Sequence, residues 1–315
     1  MSILEKLNID EKTLEKLTVQ YTPEQAQTES TFGYKWKMRE FYENEEIKVK
    51  QREWLVERYC GGDEAMFRNW LKGGGKIIMD AGCGSGYSGM IFWGNYLKDN
   101  LYLGVDISDA IEVAKERFKE AGLPGEFLKV SVLDLPVPEN SIDIIFSEGV
   151  LHHTDSTERS IKYLTGKLKK DGLFMFYVYV KKAPVREFTD DHIREQIASM
   201  NNDEAWDALM PLTKLGKALA DLNTEIDVPE DIPYLGIKKG KIDIQRFFYW
   251  YICKMWVRPE VNLNEMNIVN FDWFRPLNCQ RHTPEEVKEY CSKAGLNIEH
   301  MDVQESGITV VARKN

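Results

Sequence analysis

Cysteine is scarce and scattered in this chain: five residues, at 60, 83, 253, 279 and 291, with no Cys-x-x-Cys pair. Neither a disulfide framework nor a zinc site is indicated, and the thiols are expected to be reduced. No apolar run approaches the roughly 20 residues that cross a bilayer. The start, Met1-Ser-Ile-Leu-Glu-Lys, lacks the basic-then-apolar pattern of a secretion signal, so a cytoplasmic protein with no membrane partner is expected. Positive charge is also short, with 41 Lys and Arg against 51 Asp and Glu and a net charge of −10. That balance argues against a general nucleic-acid surface. No internal repeat is visible. What remains is a 315-residue chain long enough to bury a large core with an inserted cap.

The most informative stretch is Lys76-Ile-Ile-Met-Asp-Ala-Gly-Cys-Gly-Ser-Gly86. Ile77, Ile78 and Met79 read as a fully buried parallel strand, with Asp80 at its end. Gly82, Gly84 and Gly86 let the backbone turn sharply and approach a ligand. The spacing is Gly-x-Gly-x-Gly, and Tyr87 stands where a dinucleotide fingerprint needs its last glycine, which disfavours NAD. Taken alone, such a loop can also be a tight turn with no ligand. A helix over 88–98 leads to a second strand over 100–108 carrying Asp106, placed to accept hydrogen bonds from ribose hydroxyls, with Ile107 flanking a base. A third strand over 127–134 ends on Asp134, and a fourth over 141–147 runs into Glu148-Gly-Val-Leu-His-His-Thr154. Acids at three successive strand ends fall on the edge where open α/β sheets bind ligands.

Over roughly residues 75–180 these motifs resemble the class I S-adenosylmethionine-dependent methyltransferases. The resemblance implies an α/β fold: a Rossmann-like seven-stranded, mostly parallel sheet with an antiparallel last hairpin, helices on both faces, and here a helical inserted cap. It implies S-adenosyl-L-methionine as cofactor. The loop from Asp80 to Gly86 would hold the methionine part, Asp106 the ribose and Asp134 the adenine amino group. The candidate cofactor-binding set is Asp80, Gly82, Cys83, Gly84, Gly86, Asp106, Ile107, Leu133, Asp134, Ser147 and Glu148. Cys83 also reads simply as a small residue in close packing. The pattern from Leu133 through Thr154 resembles the small-molecule branch, and no Asn-Pro-Pro-Tyr type of motif of base-methylating relatives occurs.

The C-terminal end agrees with that fold. Thr283 and Glu286 form a capping box, Pro284 sits at the first helical position, and Gly295 can close a helix over 285–294. Strands over 297–303 and 308–313 then make a hairpin, while strand five is expected at 173–180 after a helix over 158–169. Between strand five and the last helix lie about a hundred residues where a short linker would suffice. They contain helix-like segments at 187–199 and 204–222, and an aromatic segment at 243–257 whose Ile244, Phe248, Tyr251 and Met255 form one stripe at helical spacing. Phe247, Tyr249, Trp250 and Trp256 lie off it. An all-round buried packing helix is one reading; a cap that walls a substrate pocket is the other. The expected organisation is residues 1–70 as an N-terminal helical segment over the active site, 71–180 and 281–315 as the cofactor domain, and 181–280 as the cap. Within the first, Thr28-Glu-Ser-Thr-Phe-Gly-Tyr-Lys-Trp-Lys37 is too aromatic for a disordered tail. It is similar, as is Phe271-Asp-Trp-Phe-Arg-Pro276 through Pro284, to a methyltransferase subgroup associated with bacterial surface sugars and secondary metabolites.

Methyl transfer needs in-line positioning, and a base where the attacking atom must lose a proton. His152 and His153, just after strand four, are the first candidates and His282 the next, with Glu148 and Tyr34 behind them. One of the histidine pair can be structural instead. The expected reaction is methylation of an oxygen, or a nitrogen, of a small polar metabolite or sugar. Methylation of RNA or a peptide is the alternative enzyme reading, because Lys238, Lys239, Lys241, Arg246, Lys254 and Arg258 interleave with the aromatic segment. The same cations would serve an anionic small substrate, or form a solvated helix face. A catalytically inactive cofactor-binding partner subunit is the alternative from another class. The sequence does not set an oligomeric state.

Overall fold

The computed structural model describes residues 2–15, 22–36 and 45–315. The parts of the N-terminal segment at 16–21 and 37–44, Lys37 included, lie outside the described residues. The chain forms two compact units, one of the described residues up to Val180 together with Gln280–Asn315, the other of Lys181–Cys279.

The first unit is built on one seven-stranded sheet. Its strands are β1 (Ile77–Ala81), β2 (Leu101–Asp106), β3 (Glu126–Lys129), β4 (Ile142–Glu148) and β5 (Leu168–Tyr179), then, after the second unit's β6 (Glu225–Val228) and β7 (Gly240–Asp243), β8 (Leu296–Val303) and β9 (Gly307–Lys314). The order is β3-β2-β1-β4-β5-β9-β8. The first five strands pair in parallel, and β9 pairs antiparallel to both β5 and β8. Because β1 has β2 on one side and β4 on the other, the chain leaves it in opposite directions, and a crevice opens at the carboxyl ends there.

Short helices α1 (Ile3–Lys6), α2 (Glu11–Glu15), α3 (Pro23–Trp36), α4 (Glu45–Cys60) and α5 (Ala65–Trp70) precede the sheet, and α6 (Tyr87–Trp93), α7 (Ala110–Glu120) and α8 (Thr157–Lys167) connect its strands. Side chains alternate across the pleat. Met79, Leu103, Ile145, Phe174 and Val310 enter one core with Ile161 and Leu164 of α8. Ile78, Tyr102, Phe146, Met175 and Val311 enter the other, where Tyr59, Phe67, Phe92 and Trp93 cover them. Both faces of β1 are therefore buried, which is why its sequence reads as an unbroken apolar run.

The second unit contains α9 (Pro184–Ile197), α10 (Asn202–Asp221), α11 (Ile244–Tyr251) and α12 (Leu263–Phe274), with β6 and β7 paired as an antiparallel ribbon. The last helix of the chain, α13 (Pro284–Lys293), returns to the first unit with the Thr283–Glu286 capping box formed. A polar core joins α10 to α12. Thr213 Oγ1 donates to Asn267 Oδ1 at 2.6 Å and accepts from Asn270 Nδ2 at 2.9 Å, and all three side chains are fully buried.

Four elements differ from the sequence expectation. The helix expected over 88–98 is α-helical only to Trp93, and a tighter 3-10 turn continues to Asp99. The third strand stops at Lys129, because the chain then turns, with the Asp134 N–H donating to the Ser131 carbonyl at 3.0 Å. The cap carries the β6–β7 ribbon beside its helices. The aromatic segment is helical only over Ile244–Tyr251. Its Ile244, Phe248 and Tyr251 are half-buried, as are Phe247, Tyr249 and Trp250, while Met255 is buried beyond the helix end. The helix's one fully buried residue is Gln245, whose Nε2 donates to the Met255 carbonyl at 2.5 Å and so fastens the irregular stretch that follows. Replacing Thr213 by Val should destabilise the protein by about 1–3 kcal/mol, since the partner amides keep their burial and lose a partner. Chemical denaturation measures it.

Candidate active site at the carboxyl ends of the sheet

The glycine loop follows β1 directly. Gly82, Gly84 and Gly86 have φ of +83°, +51° and +70°, which side chains other than glycine's rarely adopt. A Cβ at Gly82 would lie 2.3 Å from Val150 Cγ1, and one at Gly84 would lie 2.8 Å from the Trp36 indole nitrogen. The loop backbone is thus bare where the cleft needs space. It is held by Asp106 at the end of β2: Oδ2 accepts the Gly84 N–H at 2.8 Å, and Oδ1 accepts the Ser108 N–H at 2.8 Å and hydroxyl at 2.7 Å. Burial raises the Asp106 carboxyl above its ordinary range, while the bonds from Ser108 and Gly84 pull the other way.

A cleft opens over this floor. Gly82, Gly84, Asp106, Ile107, Glu148 and His153 line it, six of the residues singled out in the sequence. Ser131, Val132, Gly149, Val150 and Thr154 also line it, as do Gln25, Thr28, Phe32 and Trp36 of α3. Phe32 meets the His153 ring edge-on at 5.1 Å. The aromatics of the N-terminal segment predict packing on the domain, but its individual contacts are tertiary and carry no local sequence signal.

The other candidates sit behind the cleft or beside it. Asp80 is buried and accepts the Tyr102 hydroxyl at 2.5 Å. Gly89 leaves room for this pair, since a Cβ there would lie 2.3 Å from Asp80 Oδ2. Burial pushes the Asp80 carboxyl up to about 7, against the pull of the Tyr102 hydrogen bond. Cys83 is buried with its thiol pushed well up by desolvation, a protonated small residue fitted against Gly104. Gly86 faces Ala114 and Phe118 of α7. Ser147 donates its hydroxyl to the Ala81 carbonyl at 2.8 Å, tying β4 to β1. Leu133 packs against the core and Asp134 is exposed in the turn after β3, while Ser131 and Val132 line the cleft.

Glu148 is held from below by Arg58, in a close ion pair, and by the Tyr59 hydroxyl at 2.6 Å. The Arg58 guanidinium is itself packed over the Trp54 ring at 3.5 Å. The histidines separate by place. His153 faces the cleft; His152 is fully buried with its ring 3.8 Å from that of Tyr179. His282 is buried away from the cleft lining, its Nε2 2.9 Å from Thr157 Oγ1 at the start of α8. Tyr34 does not line the cleft either.

Residues 79–176 match the family model described as a methyltransferase domain. The chain is 27% identical over 150 residues to the uncharacterized methyltransferase YcgJ of Bacillus subtilis, covering 44% of this chain and 56% of that protein. It is 29% identical over 156 residues to sterol 24-C-methyltransferase of Pneumocystis carinii (47% and 38% covered) and 31% identical over 121 residues to probable tRNA methyltransferase 9B of Homo sapiens (36% and 24%). Among solved structures, a SAM dependent methyltransferase from Aquifex aeolicus aligns at a TM-score of 0.44 and 13% identity, over 85% of this chain and 98% of that one. The chain spans at most 56% of the length of these curated relatives. Residues 79–176 are thus similar to a methyltransferase domain, and the sheet order and glycine loop are those of the class I S-adenosylmethionine-dependent methyltransferase fold, whose members use S-adenosyl-L-methionine. The bare loop at Gly82 and Gly84 and the carboxylate of Asp106 fit that group.

Asp80 makes a pH-dependent prediction. Its folded pKa, about 7, lies above the ordinary carboxylate value of 3.8, so the folded state binds the extra proton between them. Stability from this group is full below the unfolded value and declines as pH rises through the folded one. Asp80→Asn, which still accepts from Tyr102, should gain stability relative to the parent as pH rises from about 4 and level off above about 7. Paired urea titrations across that range read it; a pH-independent difference would contradict it.

Proposed function

We propose that the chain transfers the methyl group of S-adenosyl-L-methionine to an oxygen, or a nitrogen, of a small polar metabolite or sugar. The observation that carries this reading is the lining of the cleft, where Gln25, Thr28, Phe32 and Trp36 of α3 join the glycine loop and, among the described residues, no Lys or Arg is present to track a phosphate backbone. The net charge of −10 supports it. The cofactor supplies an electrophilic methyl group on a sulfonium. Gly82 and Gly84 give its amino-acid part access to the backbone, Asp106 offers its remaining lone pairs to ribose hydroxyls, and Ile107 with Val132 flanks the base. Phe32 and Trp36 exclude water.

A sugar hydroxyl is too weakly acidic to lose its proton unaided at neutral pH. His153, on the cleft wall with its ring braced by Phe32, takes that proton as general base, and His152 positions it from behind with a ring-to-ring distance of 4.2 Å. Helix α3 of the N-terminal segment borders the site. RNA methylation is the second reading, favoured by relatives named as tRNA and U6 snRNA methyltransferases and by the exposed lysines 238, 239 and 241.

The test is transfer of labelled methyl from the cofactor to a panel of sugars and polar metabolites, with tRNA as the contrasting acceptor. Turnover on a small acceptor is expected; turnover on tRNA alone would replace this reading with the second, and no turnover on any acceptor despite cofactor binding would favour an inactive partner subunit. On the true acceptor, His153→Gln should lower turnover by about a hundredfold to ten-thousandfold at nearly unchanged cofactor affinity and remove the acid limb of the pH-rate profile. His152→Gln should cost far less. Equal losses in both, or none in His153→Gln, would take the base role from His153.

A further inference from the structure

Glu148 lines the cleft but is held by a part of the chain outside the matched residues 79–176. Its partners Arg58 and Tyr59 are successive residues of α4. Arg58 forms the close ion pair with one carboxylate oxygen, and the Tyr59 hydroxyl donates to the other at 2.6 Å. Arg58 is fully buried, its guanidinium 3.5 Å from the Trp54 ring and 4.3 Å from the Tyr177 ring. Its Nε and Nη1 are buried with no hydrogen-bond partner among the described residues, so Glu148 is what the guanidinium serves. His300 Nε2 of β8 donates to the Arg58 carbonyl at 2.8 Å and pins this turn of α4 to the sheet.

A buried ion pair carries a desolvation cost that apolar side chains of the same volume avoid, so what it contributes is position more than stability. Burial lowers the Arg58 pKa, but Glu148 and the phenols of Tyr59 and Tyr177 raise it and the net shift is upward. Burial first, and Glu148 next, raise Tyr59 well above its ordinary value. Arg58 therefore stays a cation and Tyr59 an O–H donor. The group they hold accepts hydrogen bonds on both oxygens and keeps further lone pairs, with 12% of its side chain exposed.

The cleft lining holds two carboxylates, those of Asp106 and Glu148, and no Lys or Arg among the described residues. A charged donor for Glu148 has to arrive with a ligand. Because β1 lies between β2 and β4, Asp106 and Glu148 stand on opposite sides of the glycine loop. Asp106 is on the side read as the ribose end, whereas Glu148 begins the loop that carries His153, where the acceptor is expected.

We propose, resting on the function proposed above, that Glu148 selects an acceptor bearing an ammonium group in addition to the hydroxyl that is methylated, an amino sugar or a related amino alcohol, with Arg58 and Tyr59 as its positioning residues. The anchored group is not the attacking one, since a protonated amine has no lone pair to offer. The hydroxyl oxygen bonds the methyl carbon as the carbon–sulfur bond breaks, sulfur keeps that electron pair, and the hydroxyl proton passes to His153.

The test is labelled-methyl transfer by the full chain to two matched sets, glucosamine with glucose and glucuronate, and ethanolamine with ethylene glycol and glycolate, beside titration with S-adenosylhomocysteine. In at least one set kcat/KM should be about tenfold or more higher for the amine than for its neutral twin, and lowest for the acid. Glu148→Gln should raise KM for that amine by about tenfold or more and that of the neutral twin far less, while S-adenosylhomocysteine still binds. Tyr59→Phe, which keeps the ion pair, should shift KM the same way by less. Preference for the neutral or acidic member overturns the proposal. So does a Glu148→Gln loss that falls on S-adenosylhomocysteine affinity instead of the KM of the amine. Should Glu148→Gln misfold, the parent's preference and the Tyr59→Phe shift decide, and absence of either overturns it. No turnover on any member while S-adenosylhomocysteine binds removes the proposed function and this selectivity with it; turnover without preference for the amine removes the selectivity alone.

Discussion

The Asp106 carboxylate joins the loop after β1 to the turn after β2, accepting one N–H from Gly84 and both the N–H and hydroxyl of Ser108. The arrangement constrains the chain on both sides. The loop can reach Asp106 only because β1 and β2 are parallel neighbours in register, with Ala81 opposite Val105, and because three glycines take left-handed backbone conformations in five residues. Each carboxylate oxygen has more than one lone pair, so the same group that closes the loop still faces the cleft as an acceptor. On the proposed reading, structure and binding are drawn from one side chain, buried enough that its charge must be met by hydrogen bonds.

Glycine spacing and strand-end acids were legible because they are local. Gly82, Gly84, Asp106 and Ile107 arrive at the cleft from two adjacent strand ends, and a short sequence window contains all that places them. The seven-stranded sheet with its antiparallel last hairpin was legible for the same reason: runs of apolar residues, a capping box at Thr283 and turn residues mark the elements one by one. Asp80 and Asp134 show where locality stops. Asp80 ends its strand as expected, yet the gap above Gly89 and the hydroxyl of Tyr102, from other elements, draw its carboxylate into the core. Asp134 loses its strand end because a turn at Ser131 intervenes.

Histidine was the least legible residue type. His152, His153 and His282 are alike in sequence, and only tertiary contacts distinguish a ring on the cleft wall from one packed on Tyr179 and one bonded to Thr157. Aromatic periodicity misled in a different way. Residues 244–257 have helical spacing throughout, but Gln245 supplies a side-chain donor to Met255, and the backbone beyond Tyr251 leaves the helix.

We propose that the bare loop and the Asp106 clamp bind the adenosine and amino-acid ends of one cofactor. Titration of the unmodified chain with S-adenosylhomocysteine, and of Gly84→Ala beside it, tests this most directly. Saturable binding at one site by the parent chain, and a large loss in the variant whose new Cβ would meet Trp36, is the result predicted. Binding of NAD in place of S-adenosylhomocysteine, or equal affinity in both proteins, would contradict it.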